Sequence, residues 1–242
     1  MKKFLAIILV LCVLFALAGC QQSEPVETEP KERSYSDVTA CFVGDSITFG
    51  CTLVAGEKIY WQVADEALHF KNTIGMGING SCYSTTSDRG LECSPLTMRY
   101  QEIPQTDLIF IALATNDFYE NTPLGTIEDT EDVSFYGAIN YCLDKLAVQC
   151  PDSKIILIAP IRGHGQTVVN KVGHKYVDYI EAIKAVGEKR QLLVMDMYTL
   201  TYDTLLEGFL NDIVHPNKYG HQQMGEVLQK WLEENKEAVL SK

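Results

Sequence analysis

Positive charge is scarce in this 242-residue sequence: 20 Lys and Arg stand against 32 Asp and Glu, leaving a formal charge of -12. A surface of that sign repels phosphate backbones, which argues against nucleic acid as a partner. Zinc-type clusters are also missing. Eight cysteines include no CxxC pair and no Cys/His group at zinc spacing, so no structural metal is expected. The nearest approach to a dinucleotide fingerprint is Gly75-Met76-Gly77-Ile78-Asn79-Gly80-Ser81. It lacks the full G-x-G-x-x-G after a first strand with an acidic residue at the right distance, so nucleotide binding is set aside. No internal repeat or low-complexity segment interrupts the chain, and the apolar run over residues 4–18 is short for a membrane-spanning helix.

That run is a targeting segment, with Lys2 and Lys3 as its positive start and Leu17-Ala18-Gly19-Cys20 as its end. The ending resembles the lipobox of bacterial lipoproteins. The resemblance implies a leader over residues 1–19 and a lipid on Cys20, which would tether an extracytoplasmic domain to the bacterial cell membrane. An uncleaved anchor or an unlipidated secreted form would also place the domain outside the cytoplasm. Residues 20–37, rich in Glu, Ser, Pro and Thr, read as a flexible tether, with a single domain over 38–242. Hydrophobic content of 46% is enough for that domain to bury a core. Its cysteines, Cys41, Cys51, Cys82, Cys93, Cys142 and Cys150, are even in number and permit disulfides. Cys82 with Cys93 is the first pair to test, because both fall in a loop-rich stretch. Cys41, inside a strand, reads as a small buried hydrophobe.

Short apolar, β-prone runs predict strands over 38–43, 71–74, 107–113, 154–159 and 192–197. Helical spacing predicts helices over 59–70, 96–103, 131–149, 174–190 and 217–236, with Tyr60 and Trp61 as packing residues and 75–81 as a glycine-rich loop. Strand and helix alternate throughout, the pattern of an α/β fold whose five-stranded parallel sheet is covered on both faces.

Ligands of such sheets bind at the carboxyl ends of the strands. Ser46, Gly80 and Asn116 each follow a predicted strand, and Asp212 and His215 just precede the last helix, so all five belong on one rim. A serine hydroxyl needs a base and an oxyanion trap to act as a nucleophile. His215 can take the proton of Ser46, and Asp212, three residues earlier, can orient the imidazole. The backbone N–H groups of Ser46 and Gly80, with the Asn116 amide, can form the trap. Asp45 and Asp117 would hold the loops through backbone hydrogen bonds. Each signal has a bland counterpart. Gly-Asp-Ser is ordinary turn chemistry, Asp212 could cap the last helix, and Gly80 could serve only a positive φ. His164 could touch substrate or be a solvated loop residue, while His69, His174 and His221 read as structural or surface groups.

Gly44-Asp45-Ser46-Ile47-Thr48, Gly80, Thr115-Asn116-Asp117 and Asp212-Ile213-Val214-His215-Pro216 resemble the four blocks of the SGNH (GDSL) hydrolases. These are esterases and lipases with a three-layer αβα, flavodoxin-like fold. The resemblance spans about residues 38 to 236. It implies Ser46 as nucleophile, His215 as base, Asp212 as third triad member, Gly80 and Asn116 as oxyanion donors, and no cofactor. One departure is Ala114, where the family's third block carries glycine; on regular backbone it would cost only a methyl group, whereas a required positive φ would misplace Asn116 and reduce activity. The implied reaction is ester hydrolysis through an acyl-enzyme, with short acyl groups such as acetyl on carbohydrate or other small esters as the expected substrate. Lysophospholipid or thioester hydrolysis, acyl transfer to a sugar, and a glycan-binding lipoprotein with little turnover are the rival readings.

Overall fold

The structure, a computed structural model, describes residues 32–163, 167–201 and 208–241. The leader, Cys20, the tether up to residue 31 and His164 lie outside them. The strands are β1 Thr39–Gly44, β2 Asn72–Gly77, β3 Leu108–Ala112, β4 Lys154–Ala159 and β5 Leu193–Asp196. Among the described residues they form one five-stranded sheet in the order β2-β1-β3-β4-β5, parallel throughout. The helices are α1 Ser46–Phe49, α2 Tyr60–Leu68, α3 Leu96–Arg99, α4 Thr115–Tyr119, α5 Phe135–Gln149, α6 Tyr176–Arg190, α7 Met197–Leu200, α8 Lys218–Glu234 and α9 Lys236–Leu240.

Successive side chains of a strand point to opposite faces, and here each face has its own core. Cys41, Val43, Ile109, Ile111 and Leu157 pack toward α5 and α6, with Leu143, Leu146, Ile180 and Ile183 opposite them. Ala40, Phe42, Leu108, Phe110, Ile156 and Ile158 pack the other way, against Tyr60, Ala64, Leu228 and Leu232 of α2 and α8. Phe42 stacks on Phe110 with ring centroids 4.6 Å apart, and on Trp61 at 5.7 Å. The central strands read as unbroken apolar runs because both faces are covered. The result is a three-layer αβα fold, as the sequence resemblance implies.

Two boundaries differ from the sequence reading. The folded unit begins at Ser34, so the end of the assigned tether belongs to it. Tyr35 is buried and its hydroxyl donates to the carbonyl of Leu232 at 2.6 Å. Also, β2 continues through Gly75 to Gly77, where a loop was expected. Both glycines are places of close approach. A Cβ on Gly75 would lie 2.5 Å from the Trp61 ring, and one on Gly77 would lie 2.2 Å from the backbone nitrogen of Phe49.

Strand order reverses between β1 and β3, and the crevice at such a reversal is where this topology binds ligands. The segments leaving β1, β2 and β3 all emerge at that rim.

Candidate active site

The chain leaves β1 at Gly44, turns at Asp45 and enters α1 with Ser46 as its first residue. The Asp45 carboxylate accepts the Ile47 N–H at 2.9 Å, which closes the first turn of this short helix. Burial pushes the Asp45 carboxyl up to about 6, although the Ile47 N–H, His215 and Arg99 each pull it down. Gly50, at φ 79°, ends the helix. Behind α1, the Tyr60 hydroxyl lies 3.1 Å from Thr48 Oγ1 and Trp61 Nε1 donates to the Thr48 carbonyl at 3.0 Å. The two aromatics expected as packing thus also hold the nucleophile's helix in place. Tyr60 N–H in turn donates to Nδ1 of His221 on α8 at 3.3 Å, a structural histidine that burial holds down at about 4.

Ser46 Oγ lies 2.8 Å from His215 Nε2, and His215 Nδ1 lies 2.7 Å from Asp212 Oδ2. A carboxylate beside Nδ1 keeps the ring proton there, so Nε2 is left as the acceptor for the serine proton. Asp212 is fixed by its second oxygen, which accepts the N–H groups of Val214 at 2.9 Å and His215 at 2.8 Å. Partial burial raises its carboxyl, but these N–H groups and the imidazole outweigh that and hold it below its ordinary value. Asp212 therefore does not cap the last helix. Asn217 does, with its Oδ1 accepting from Tyr219 and Gly220. The loop is closed by Asn211 N–H donating to the His215 carbonyl at 2.7 Å, and joined to the Ser46 side by Thr52 Oγ1 donating to the Pro216 carbonyl at 2.5 Å. Cys51, which sequence reasoning did not place here, follows α1 and donates its backbone N–H to the Ser46 carbonyl at 3.1 Å.

On the third side, Gly80 follows β2 with φ 75°. A Cβ there would meet only the Arg89 guanidinium, the far end of a flexible side chain, so glycine is needed for conformation rather than space. Asn116, in α4, donates through Nδ2 to the carbonyl of Ser81 at 3.0 Å, which puts it beside Gly80 as the sequence suggested. Asp117 is fully buried and holds the same loop, accepting Tyr83 N–H at 2.9 Å and Ser84 N–H at 3.3 Å. Burial pushes its carboxyl up to about 7 against the pull of those two donors.

At Ala114 the structure shows the positive-φ case rather than the regular one: φ is 131° and ψ -23°, a conformation that disfavours any residue with a Cβ. Asn116 nevertheless keeps its bond to Ser81, so the strain is absorbed without losing that contact. The pair chosen for a disulfide test, Cys82 and Cys93, is buried and in mutual contact, but both residues are free thiols here.

Two groups that hold the rim were missed. Asp132, expected inside a helix, lies before α5. Its carboxylate accepts Thr85 N–H at 3.1 Å and the hydroxyls of Ser84, Thr85 and Thr97. Arg99 is 5% exposed and donates to the carbonyls of Gly44, Met76 and Ser94 and to Ser81 Oγ. Neither carries a sequence signal beyond its residue type.

The arrangement supplies a hydroxyl, a base and an orienting carboxylate in one hydrogen-bonded line, with amide donors on adjoining loops. Such a set can carry acyl transfer. No curated protein matches the sequence. Several solved structures share its fold. A protein from Lactobacillus plantarum is 23% identical with a TM-score of 0.68, covering 84% of this chain and 99% of its own. A possible lipase from Chitinophaga pinensis is 18% identical at 0.67, covering 82% and 99%. The acetyl xylan esterase AlAXEase is 18% identical at 0.59, covering 80% and 99%. Residues 42–223, which include every residue of the rim described above, match the GDSL-like lipase/acylhydrolase family. The chain belongs to that family and is a carboxylic ester hydrolase.

Proposed function

We propose that this enzyme removes short acyl groups, acetyl foremost, from carbohydrate or other small esters outside the cytoplasm, through an acyl-enzyme on Ser46. The observation that carries the reading is the unbroken line from Asp212 through His215 to Ser46, at 2.7 and 2.8 Å. His215 takes the Ser46 proton as Oγ attacks the ester carbonyl, then gives it to the leaving alcohol. Asp212 stabilises the imidazolium formed between these steps. The Ser46 and Gly80 N–H groups and the Asn116 amide receive the oxyanion, and a water activated by His215 releases the acid.

A short acyl group is supported by a fold relative that is an acetyl xylan esterase. A lysophospholipase or thioesterase reading has one observation in its favour: Phe49, Ile213 and Tyr219, close in sequence to the triad, are more than half exposed and could meet an apolar chain. The Leu17-Ala18-Gly19-Cys20 ending supports a lipid anchor on Cys20.

The test is a panel of p-nitrophenyl esters of graded chain length beside acetylated polysaccharides. Turnover falling steeply beyond butyrate, with acetate released from the polysaccharide, is the expected outcome. A preference for long chains would move the assignment to the second reading. Fluorophosphonate should label Ser46 in the wild type and not in Ser46→Ala. Absence of labelling in both would leave only a binding protein. Mass spectrometry of the membrane-bound form tests Cys20, which should carry the lipid.

A further inference from the structure

We propose that Arg99 is the positioning residue of the oxyanion hole, setting all three of its donor segments through one buried guanidinium. The inference rests on the esterase reading above. Arg99 leaves α3 and is buried under the rim, with each nitrogen engaged. Nη2 donates to the carbonyl of Gly44 at 3.1 Å and to Ser81 Oγ at 2.9 Å. Nη1 donates to the Met76 carbonyl at 3.4 Å and Nε to the Ser94 carbonyl at 3.2 Å.

These acceptors are not scattered. Gly44 is the last residue of β1, two before Ser46, and Met76 lies at the end of β2. Ser81 follows Gly80 directly, and its carbonyl receives the Asn116 amide. One planar fork therefore spans the segments that carry the Ser46 N–H, the Gly80 N–H and the Asn116 side chain. Ser81 is the joint: its hydroxyl is held by Arg99 and donates to the Ser94 carbonyl at 2.9 Å, while its backbone holds Asn116.

A buried charge ordinarily finds an opposite charge, since desolvation without pairing is costly. Among the described residues the hydrogen bonds of Arg99 go to three carbonyls and a hydroxyl, and none to a carboxylate. The guanidinium stays protonated in such surroundings. Its positive charge interacts with the carboxylates of Glu102 and Asp45 without a hydrogen bond to either, and it lies beside loops that must receive a developing negative charge, where a fixed charge in a dry site acts most strongly. Lysine would keep the charge but replace the fork with a single point donor.

The experiment measures kcat and KM per site titrated with fluorophosphonate, so that molecules that fail to fold are not counted. In Arg99→Lys, kcat per titrated site should fall about 10- to 100-fold with KM changed less than about threefold, somewhat short of the loss of a whole oxyanion donor. Affinity for a trifluoromethyl ketone, which adds Ser46 as a tetrahedral oxyanion mimic, should fall in parallel. Ser81→Ala, which keeps Arg99, should show the same signature at about 10-fold. The double variant should be no worse than Arg99→Lys alone, because the two act as one unit. A purely structural Arg99 would lower the titrated fraction and leave kcat per site within about threefold of wild type in both single variants, and that result overturns the proposal. If wild-type protein neither hydrolyses esters nor labels, the failure lies with the esterase reading instead.

Discussion

Gly77→Ala is the most direct probe of how the nucleophile is held. Gly77 closes β2 opposite Gly44 of β1, and α1 rests on the pair. A methyl group at 77 would lie 2.2 Å from Phe49 N, 2.5 Å from the Thr48 carbonyl carbon and 2.7 Å from Phe49 Cα, where ordinary contact begins at 3.4 Å. All three atoms are backbone of α1, so no side-chain rotation relieves the clash. The helix must move by about 1 Å, and Ser46 begins that helix. Because the atoms resist, overpacking should cost about 1–3 kcal/mol, which lowers Tm by about 2–12 °C in a domain of this size. A misplacement of about 1 Å between nucleophile and base costs on the order of 100-fold in rate. The assay is p-nitrophenyl acetate hydrolysis per fluorophosphonate-titrated site, beside thermal unfolding. Gly75→Ala is the comparison: its methyl would meet the Trp61 ring rather than α1 backbone, so stability should fall with a smaller loss of kcat. If Gly77→Ala keeps kcat per site within about threefold of wild type, α1 is not held by contact with β2 and the reasoning fails.

At Ala114, replacement by glycine removes about 1–3 kcal/mol of backbone strain, offset by about 0.4–1 kcal/mol of unfolded-chain freedom and about 0.8 kcal/mol of methyl burial. Urea unfolding should therefore place Ala114→Gly between about 0.8 kcal/mol less and about 1.8 kcal/mol more stable than wild type; a loss above about 1 kcal/mol would contradict the strain. Tyr83 Oη is buried and has no hydrogen-bond partner among the described residues, so Tyr83→Phe should leave stability unchanged or raise it by up to about 1 kcal/mol in the same measurement. The Asp117 carboxyl is raised to about 7, so folding favours its protonated form. The stability this contributes is complete below about pH 4 and is lost as pH rises through about 7. Asp45 has the same sign and His221 the opposite one, so the raw profile mixes them. Relative to Asp117→Asn, the wild-type urea midpoint should fall between about pH 4 and pH 7, and parallel curves would remove the linkage.

The central sheet was legible because strands covered on both faces leave continuous apolar runs, and Ile109 to Ile111 and Ile155 to Ile158 do so plainly. The rim was legible because it follows from strand ends. What escaped has physical reasons. α1 and α4 are too short to display a helical period, so their residues read as turns. β2 is an edge strand whose glycines admit Trp61 and α1, and glycine-rich sequence reads as loop. The φ of Ala114 is imposed by its surroundings, since alanine itself prefers otherwise. Tyr35 looked like tether because the residues before it are polar, and contacts remote in sequence, with the Leu232 carbonyl and the Phe70 ring, order it. Arg99 was invisible for a similar reason: arginine is expected at the surface, and apart from the nearby Ser94 carbonyl its acceptors are backbone or hydroxyl groups remote in sequence.

The 169 residues between Ser46 and His215 also govern when the site comes into being. During synthesis the serine emerges 169 residues before the imidazole. The Tyr60–His221 bond, through which α8 braces α2 behind the nucleophile, must wait as well. A growing chain thus carries its reactive hydroxyl with no base to activate it until the segment that bears His215 has been made. Hydrolytic competence arrives together with closure of the last layer, so the rate of ester turnover in a folding reaction would time the final docking step rather than the formation of the sheet.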